Sequence, residues 1–548
     1  MKTKLTKFNT AVLSAVTFLL GLSFVAPRAE AQGGVPLWTN RYSDPVTGNA
    51  EGRAVAVDSN GNVFVTGLSI TSSNGSDFVT IKYSSAGVPL WTNRYDGPGS
   101  GTDEWTSMAV DNGGSVVVTG ISDHNGYDSL HTNYDYATIK YSNAGVPLWT
   151  NRYNGPGNSI DWATSVAVDG SGNVFVTGAP DGHEFQTNYA YATIKYSSAG
   201  VPLWTNRYDG PANDSWAAAL ALDGNGNVFV TGGSWGIGSG QDYATIKYSN
   251  AGVPLWTNRY TGPGFVDYAQ DFATSIAVDN SGNVIVTGAS DRFGDPDFES
   301  YAYATIKYSN AGVPLWTNRY MSPTCDNGYA NALAVDASGN VFVTGYIYSS
   351  SRFYNWDFAT VAYSSTGVPV WTNRYDGPDS SEDWAASIKL DSNGNVFVTG
   401  YSYGTNNNSD FVTLAYSGAG MALWTNCFHG PVDDWDAASA VAVDASGNVL
   451  VTGWSRTTTN GTNSDFVTIK YSSVNPPAPS LNIGRMTTNT VVISWPSPST
   501  GFVLQQNTNR LGSVHWSNVT ATIQDSGTSR FIIVNPPTGN RFYRLVKP

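Results

Sequence analysis

Short apolar stretches broken by Gly, Asn, Asp or Pro run through most of the chain, and none carries apolar residues at helical spacing. Four phrases dominate: A-V-A-V-D (54–58), N-V-F-V-T-G (62–67), Y-A-T-I-K-Y (191–196) and P-L-W-T-N-R-Y (89–95). Each is rich in Val, Ile, Thr, Tyr or Trp and bounded by turn residues, which predicts β-strands. In repeat order they are named strands A, B, C and D. The D-x-x-G-N segment between A and B places a glycine where a tight hairpin needs positive φ.

The phrases recur. G-V-P-L-W-T-N-R-Y occupies 34–42, 87–95, 145–153, 200–208, 252–260 and 312–320. A seventh copy reads GVPVWTNRY (367–375), and an eighth has changed to GMALWTNCF (420–428). The A–B aspartate falls at Asp58, Asp111, Asp169, Asp223, Asp279, Asp336, Asp391 and Asp444, and strand C ends at Tyr83, Tyr141, Tyr196, Tyr248, Tyr308, Tyr363, Tyr416 and Tyr471. Four antiparallel strands every 52–60 residues make one propeller blade. A blade cannot bury both faces alone, so each WTNRY tryptophan is expected to fill the same gap between neighbours. The first copy is a lone D strand and the last set lacks one. This predicts an all-β, eight-bladed β-propeller in which the N-terminal strand completes the last blade, leaving no exposed edge.

The copies differ in length at two connections. From the repeat aspartate to the Thr of V-T-G is always 8 residues, as is the step from the strand-C Tyr to the next Trp. The B–C and D–A connections vary, and in a meander these share one face, which becomes the expected working face. An acidic–aromatic pair precedes strand A in several copies: Asp161-Trp162, Asp271-Phe272, Asp383-Trp384, and more loosely Glu104-Trp105, Asp214 with Trp216, and Asp434-Trp435. Tyr329 and Glu51 hold that place in two others. Trp faces beside carboxylates suit sugar stacking and hydroxyl hydrogen bonds. The competing expectation is that the Trp plugs its own blade and the Asp caps a turn.

The chain ends are of another kind. Lys2, Lys4 and Lys7 precede an apolar run, Ala11 to Ala26, and Ala29-Glu30-Ala31 follows. Residues 1–31 therefore read as a secretory signal peptide, the propeller as 32–474, N-P-P-A-P (475–479) as a stiff linker, and 480–548 as a small β-sandwich module. VVISW, FVLQQ, SRFIIV and RFYRLV are its strands, with Trp495 and Tyr543 as anchors. No later segment is long and apolar enough to span a membrane. The formal net charge is −14, and −17 once the four basic and one acidic residues of the leader are removed. That leaves no electrostatic footprint for nucleic acid. Two cysteines, Cys325 and Cys427, make no disulfide framework, and whether they pair stays open.

Specific chemistry is sparse. D-S-N-G-N (58–62) hints at a calcium loop, but its glycine comes two places early and a strand follows at once, so a hairpin turn is expected instead. His124, His131, His183, His429 and His515 lack metal-ligand spacing, and no nucleophile elbow, P-loop or dinucleotide fingerprint stands in context. No cofactor is expected.

The unit A-V-D-x-S-G-N-V-F-V-T-G followed by D-F-V-T-I-K-Y resembles the bacterial β-propeller repeat (SBBP) family of exported proteins, over 35–471. The resemblance implies a propeller without an assigned activity. S-S-A-G-V-P-L-W (84–91) is also similar to the tryptophan-docking motif of quinoprotein-type propellers, with Gly87 and Trp91 matching its glycine and tryptophan. That likeness implies eight blades; quinone chemistry is not expected, since no Cys-Cys pair is present. Residues 480–548 resemble fibronectin type III-like modules. Together these readings lead to a secreted or cell-surface monomer that binds polysaccharide or a surface protein through its B–C and D–A loops. A carbohydrate-active hydrolase or lyase, and a purely structural extracellular disc, are the alternatives.

Overall fold

The computed structural model describes residues 33–546 apart from 71–74, 100, 124–133, 183–188, 264–268, 293–299, 322–326, 349–354, 379–380, 405–407, 433, 459–462, 474–480, 487–489, 497–502, 509–515, 526–528 and 536–540. The described residues are all-β. They divide into two compact units, Gly33–Val474 and a second that holds the C-terminal segment Asn475–Pro548. The leader and linker of the sequence reading lie outside the described residues.

The first unit consists of four-stranded antiparallel sheets. Seven follow the chain in order A-B-C-D; their A strands are Ala50–Val57, Asp103–Val110, Ile160–Val168, Ser215–Leu222, Asp271–Val278, Gly328–Val335 and Asp383–Leu390. The remaining sheet joins the two ends of the unit: Asp436–Val443, Val449–Arg456 and Ser464–Tyr471 take Pro36–Tyr42 as their fourth strand. Trp38 pairs with Lys470 and Tyr42 with Phe466 in that register. Each A strand packs on the next, and Asp436–Val443 packs on Ala50–Val57.

Strands B and C carry the core. Val63, Phe64, Val65, Val79 and Ile81 are buried, and their equivalents repeat in every sheet. Both faces of these strands are covered because each sheet lies between two others, which explains near-continuous apolar runs instead of alternation. The polar Thr of V-T-G is buried as well; Thr66 Oγ1 donates to Val79 O and meets Thr80 Oγ1 at 3.2 Å. These bonds remove the cost of burying the hydroxyls.

The WTNRY phrase joins one sheet to the next. Its Trp Nε1 donates to a carbonyl in the C–D turn of the following sheet: Trp38 to Ser85, Trp91 to Asn143, Trp204 to Asn250. Its Asn Nδ2 donates to the glycine carbonyl of the next GVPLW copy, as in Asn40 to Gly87, Asn93 to Gly145 and Asn206 to Gly252, each at 2.7 Å. The last link runs from Asn426 to Gly34 O at 2.6 Å, across 392 residues. The glycine holds φ near +82°, and a Cβ on Gly252 would sit 2.7 Å from the Trp204 ring. Only glycine permits both the conformation and the approach. The tryptophan ring also meets the strand-C tyrosine of the next sheet, Trp38 to Tyr83 at 5.9 Å between centroids.

A buried lysine reinforces the same joint. Lys307 pairs with Asp279 of its own A–B turn at 2.9 Å and donates to Ser365 O of the next sheet at 3.2 Å. Lys140–Asp111 and Lys470–Asp444 repeat the pair. The copies with Ala362 and Ala415 lack it.

The smaller unit has two sheets. One runs Asn482–Met486, Thr490–Pro496, Ser529–Val534, Gln524–Asp525; the other runs Ser517–Asn518, Val503–Asn507, Phe542–Val546. Ile493, Trp495, Leu504 and Ile532 form its core, with Tyr543 packed against them.

Gly252→Ala is expected to cost about 1–3 kcal/mol, through a strained backbone and displacement of Trp204. Gly224→Ala, at an ordinary φ with nothing within 4 Å of a Cβ, is the control. Thermal denaturation should show a lowered midpoint for the first and none for the second.

Candidate functional site

Every A strand carries a β-bulge after its third residue, as between Ala217 and Ala219, or after its fourth in Ile160–Val168, which starts one residue earlier, between Ala163 and Ser165. A bulge bends the strand and re-aims the side chains before it. The extra residue can then bridge to the neighbouring sheet: Thr164 Oγ1 donates to Thr177 O at 3.2 Å and reaches Ala217 O of the next sheet at 2.9 Å. The first two residues of strand A thereby stand at the junction of two sheets, on the face of the D–A and B–C connections.

The first position is a turn cap. Asp103, Asp161, Asp271, Asp383 and Asp436 occupy it and are all but fully buried. Each accepts a backbone N–H from a glycine of the preceding D–A loop: Gly97, Gly155, Gly262, Gly377 and Gly430, at 2.5–2.6 Å. Asp161, Asp271 and Asp383 are therefore not offered to a ligand, contrary to their place among the candidate binding residues. Their carboxylates satisfy loop amides that would otherwise be buried without partners. Burial drives their acidity down: the carboxyl pKa is pushed up to about 6 in Asp103, Asp271 and Asp436 and to about 7 in Asp383, against serine and glycine hydrogen bonds that pull the other way.

Register corrects two further pairs. Asp436 pairs with Ser455 as Asp271 pairs with Ser290, so Asp436 is the cap in that sheet and Ala437 takes the aromatic place. Asp434 and Trp435 stand before the strand instead. Trp435 carries the Arg456 guanidinium over its ring at 5.6 Å, and Arg456 lies 3.8 Å from Asp434. In another sheet Ser215 is the cap; its Oγ lies within hydrogen-bond distance of Asp209 O at 3.0 Å and of Ser234 Oγ at 2.8 Å. Asp214, one residue earlier, is thus released from turn duty.

The second position holds the aromatics, and they separate into two groups. Phe272 and Trp384 belong to a chain of ring contacts: Phe272–Tyr301, Tyr301–Tyr329, Tyr329–Tyr346, Tyr346–Trp384 and Trp384–Tyr401. Tyr346 stacks on Trp384 at 4.0 Å and 22°. These faces cover one another and tie neighbouring sheets together. Trp162 and Trp216 differ. Trp162 is 47% exposed. With Thr164, Ala179, Tyr189, Asp214 and Ala217 they line a slot of about 370 Å³ between two adjacent sheets. Ser215 N donates to Tyr189 O at 2.8 Å and Trp235 N to Asp214 O at 2.8 Å, which fixes both loop walls. The Trp216 ring lies against Gly233, where a Cβ would come within 2.6 Å of it.

The Asp214 carboxylate is unusual within this slot. Its Oδ1 is buried and has no hydrogen-bond partner. Its pKa is raised by burial alone, with no cation to offset it. Sequence reasoning singled out Asp214, Trp162 and Trp216. It missed Tyr189 and Thr164, although both recur, Tyr189 as Tyr134 and Tyr301 and Thr164 as Thr274, at the end of a B–C connection and at the strand-A bulge.

Larger cavities do not offer comparable chemistry. One of about 480 Å³ on the short-turn face is lined by Asp279, Asn280, Lys307 and Trp316, among others. Asp279 is bound to Lys307, Asn280 Nδ2 donates to Ala337 O, and Trp316 Nε1 donates to Ser365 O. The D-S-N-G-N aspartate is similarly engaged: Asp58 accepts the N–H groups of Asn60 and Asn62 and the Asn62 side-chain amide. Among the described residues, two sets of three carboxylates bring oxygens within 4.8 Å: Asp77, Asp96 and Asp103, and Asp357, Asp376 and Asp383. In each set one member already pairs with arginine, Asp77 with Arg94 at 2.7 Å and Asp357 with Arg374 at 2.5 Å. Cys427 is a free thiol, and Cys325 lies outside the described residues. Among the described residues no helix is long and apolar enough to cross a membrane.

Residues 148–179 and 377–407 match the family model of the β-propeller repeat, SBBP. The chain carries β-propeller repeats. No curated protein matches it. Similar solved structures include the β-propeller domain of the Trilobed protease from Pyrococcus furiosus, at 8% identity and TM-score 0.38, covering 68% of this chain and 99% of that one. Polysaccharide lyase Uly1 is similar at 10% identity and TM-score 0.42, covering 79% of this chain and 92% of that one. A eukaryotic initiation factor gives 11% identity and TM-score 0.34, with coverages of 69% and 88%.

The buried caps set a pH dependence. A carboxyl whose pKa is higher in the folded than in the unfolded state favours folding when protonated. That stability is complete below pH about 4 and is lost as pH rises through about 6 to 7, for Asp103, Asp271, Asp383 and Asp436. Thermal midpoints should therefore be higher at pH 5 than at pH 8. Asp383→Asn should reduce the difference while keeping the acceptor for Gly377 N–H.

Proposed function

We propose that the protein is an exported, eight-bladed β-propeller that binds polysaccharide through its loop face, at the slot between Trp162 and Trp216. The observation that carries the reading is that slot. Two indoles at equivalent positions of adjacent sheets, one of them half exposed, flank an opening with a tyrosine and a carboxylate on its walls. Aromatic walls with few polar groups are the usual makeup of small-ligand sites, and indole faces suit the C–H faces of sugar rings.

The cyclic pairing of Pro36–Tyr42 with Ser464–Tyr471 supports the closed ring in this reading. The leader at 1–31 supports export, and the separate C-terminal unit, read as a fibronectin type III-like module, is proposed as an attachment or spacer. Binding is favoured over hydrolysis. Glycoside hydrolysis needs two carboxyls about 5–9.5 Å apart at the cleft. Among the described residues one carboxylate lines the slot, that of Asp214.

The test is affinity electrophoresis of the protein through gels holding neutral, anionic and amine-bearing polysaccharides. At least one polymer should retard it. Trp162→Ala and Trp216→Ala, with unchanged β-sheet circular dichroism, should weaken that binding about tenfold or more, equivalent to ~1.4 kcal/mol. Retardation by no polymer, or retardation untouched by both substitutions, would remove the slot from the account.

A further inference from the structure

We infer that the saccharide taken by the Trp162–Trp216 slot carries a protonated amine, as in a glucosamine polymer. The inference rests on the glycan reading above and narrows it to a ligand class. Three features of one small site point to a cation instead of a neutral sugar.

The first is the carboxylate. Asp214 stands at the end of a D–A loop, in a sheet where Ser215 has taken over the capping that a buried aspartate performs at five other junctions. Among the described residues its carboxylate neither caps a glycine nor meets an arginine, unlike the strand-C aspartates Asp77, Asp242 and Asp357, which pair with Arg94, Arg259 and Arg374. One oxygen is buried with no partner. A charge left against apolar walls is costly, and a cationic ligand group offsets that cost where a hydroxyl does so only in part.

The second is the pair of indoles. Trp faces attract ammonium groups through the ring quadrupole, more strongly once both are out of water. Among the described residues neither Trp162 nor Trp216 has its ring over another aromatic, whereas Phe272 and Trp384 are stacked into the ring chain. Tyr189 adds a third aromatic wall. The third is the local balance of charge: among the described residues none that lines the slot is basic. The chain as a whole is at −14, which draws polycations and repels polyanions.

The experiment is calorimetric titration of the full chain with three tetrasaccharides: glucosamine, N-acetylglucosamine and cellotetraose, at low salt and a pH where the amine is protonated. The glucosamine tetramer should bind at least tenfold tighter than the other two. Asp214→Asn, which keeps shape and hydrogen-bond acceptor, should abolish the preference while leaving the neutral affinities within twofold. Trp216→Ala should weaken all three. Equal binding of the three oligomers by the unaltered protein, or a preference that survives Asp214→Asn, would overturn the amine inference and leave the glycan reading standing. If the glucosamine tetramer does not bind, the inference also falls; the polysaccharide gels then decide the glycan reading separately. Folding of each variant is checked by its thermal midpoint.

Discussion

The contact on which everything else depends is the seat of a tryptophan and an asparagine on the glycine of the next repeat. Asn258 Nδ2 donates to Gly312 O at 2.7 Å while Trp256 Nε1 donates to Asn310 O at 3.1 Å. One hydrogen bond of this kind contributes about 1 kcal/mol. The same pair of bonds repeats from sheet to sheet and fixes each against its neighbour, except at the seam, where the Trp424 ring seats on Gly34 and Asn426 bonds its carbonyl while Trp424 Nε1 has no partner among the described residues. The nine-residue phrase is repeated because it is both key and lock: its glycine receives the preceding copy's Trp and Asn, and its own Trp and Asn engage the following copy. A change in one half must be matched in the other, which resists drift. The copy GMALWTNCF shows what the joint tolerates. It loses proline and arginine yet keeps Gly420, Trp424 and Asn426, the three residues that dock.

This constraint leaves the opposite face free. At each sheet-to-sheet junction a cap and an aromatic place are offered, and the copies fill them differently. Where Asp is the cap, its carboxylate is consumed by a glycine amide. Where the aromatic places of successive sheets are both filled and the B strands also carry tyrosines, as at Tyr346 and Tyr401, the rings stack into a bracket. The Trp162–Trp216 junction has small residues behind the indoles, Ala179 and Gly233, and a serine cap. The rings therefore keep an opening between them, and the Asp214 carboxyl is not consumed by a glycine amide. Site formation here follows from what is missing behind the aromatics as much as from the aromatics themselves.

In the repeats, strand type and order were legible in the sequence, because β-branched and aromatic runs with glycine turns recur with little noise; in the smaller unit, without repeats, Asn482–Met486 and the short strands Ser517–Asn518 and Gln524–Asp525 were missed. The pairing of Pro36–Tyr42 with Ser464–Tyr471 followed from the unmatched D strand at one end. The candidate site was legible only in part. Trp162, Trp216 and Asp214 could be picked out as residues near strand A. Reading Asp434-Trp435 as equivalent to Asp161-Trp162 failed by two residues: Asp436 stands opposite Ser455, and its eight-residue step to Asp444, equal to that from Asp161 to Asp169, already marked it in the sequence. For Asp161, Asp271 and Asp383 the sequence left capping and ligand binding side by side, because the two look alike without the glycine amide that folds back on the carboxylate. Tyr189 recurs as Tyr134 and Tyr301, two residues before the tyrosine that opens Y-A-T-I-K-Y, a signal that was passed over because it lies at the end of the variable B–C connection.

The closed ring is the central claim, and its seam tests it most directly. Residues 36–42 and 254–260 have the same sequence, so their amides share intrinsic exchange rates apart from end effects. The measurement is hydrogen–deuterium exchange by mass spectrometry, on peptides told apart by their flanks, Ser43-Asp44 and Thr261-Gly262. The account predicts that both strands exchange at the same slow rate, because Pro36–Tyr42 is held by Ser464–Tyr471 as Pro254–Tyr260 is held by Gly240–Tyr248. Rapid exchange confined to 36–42 would contradict the closed ring, and with it the rigid frame on which the slot depends.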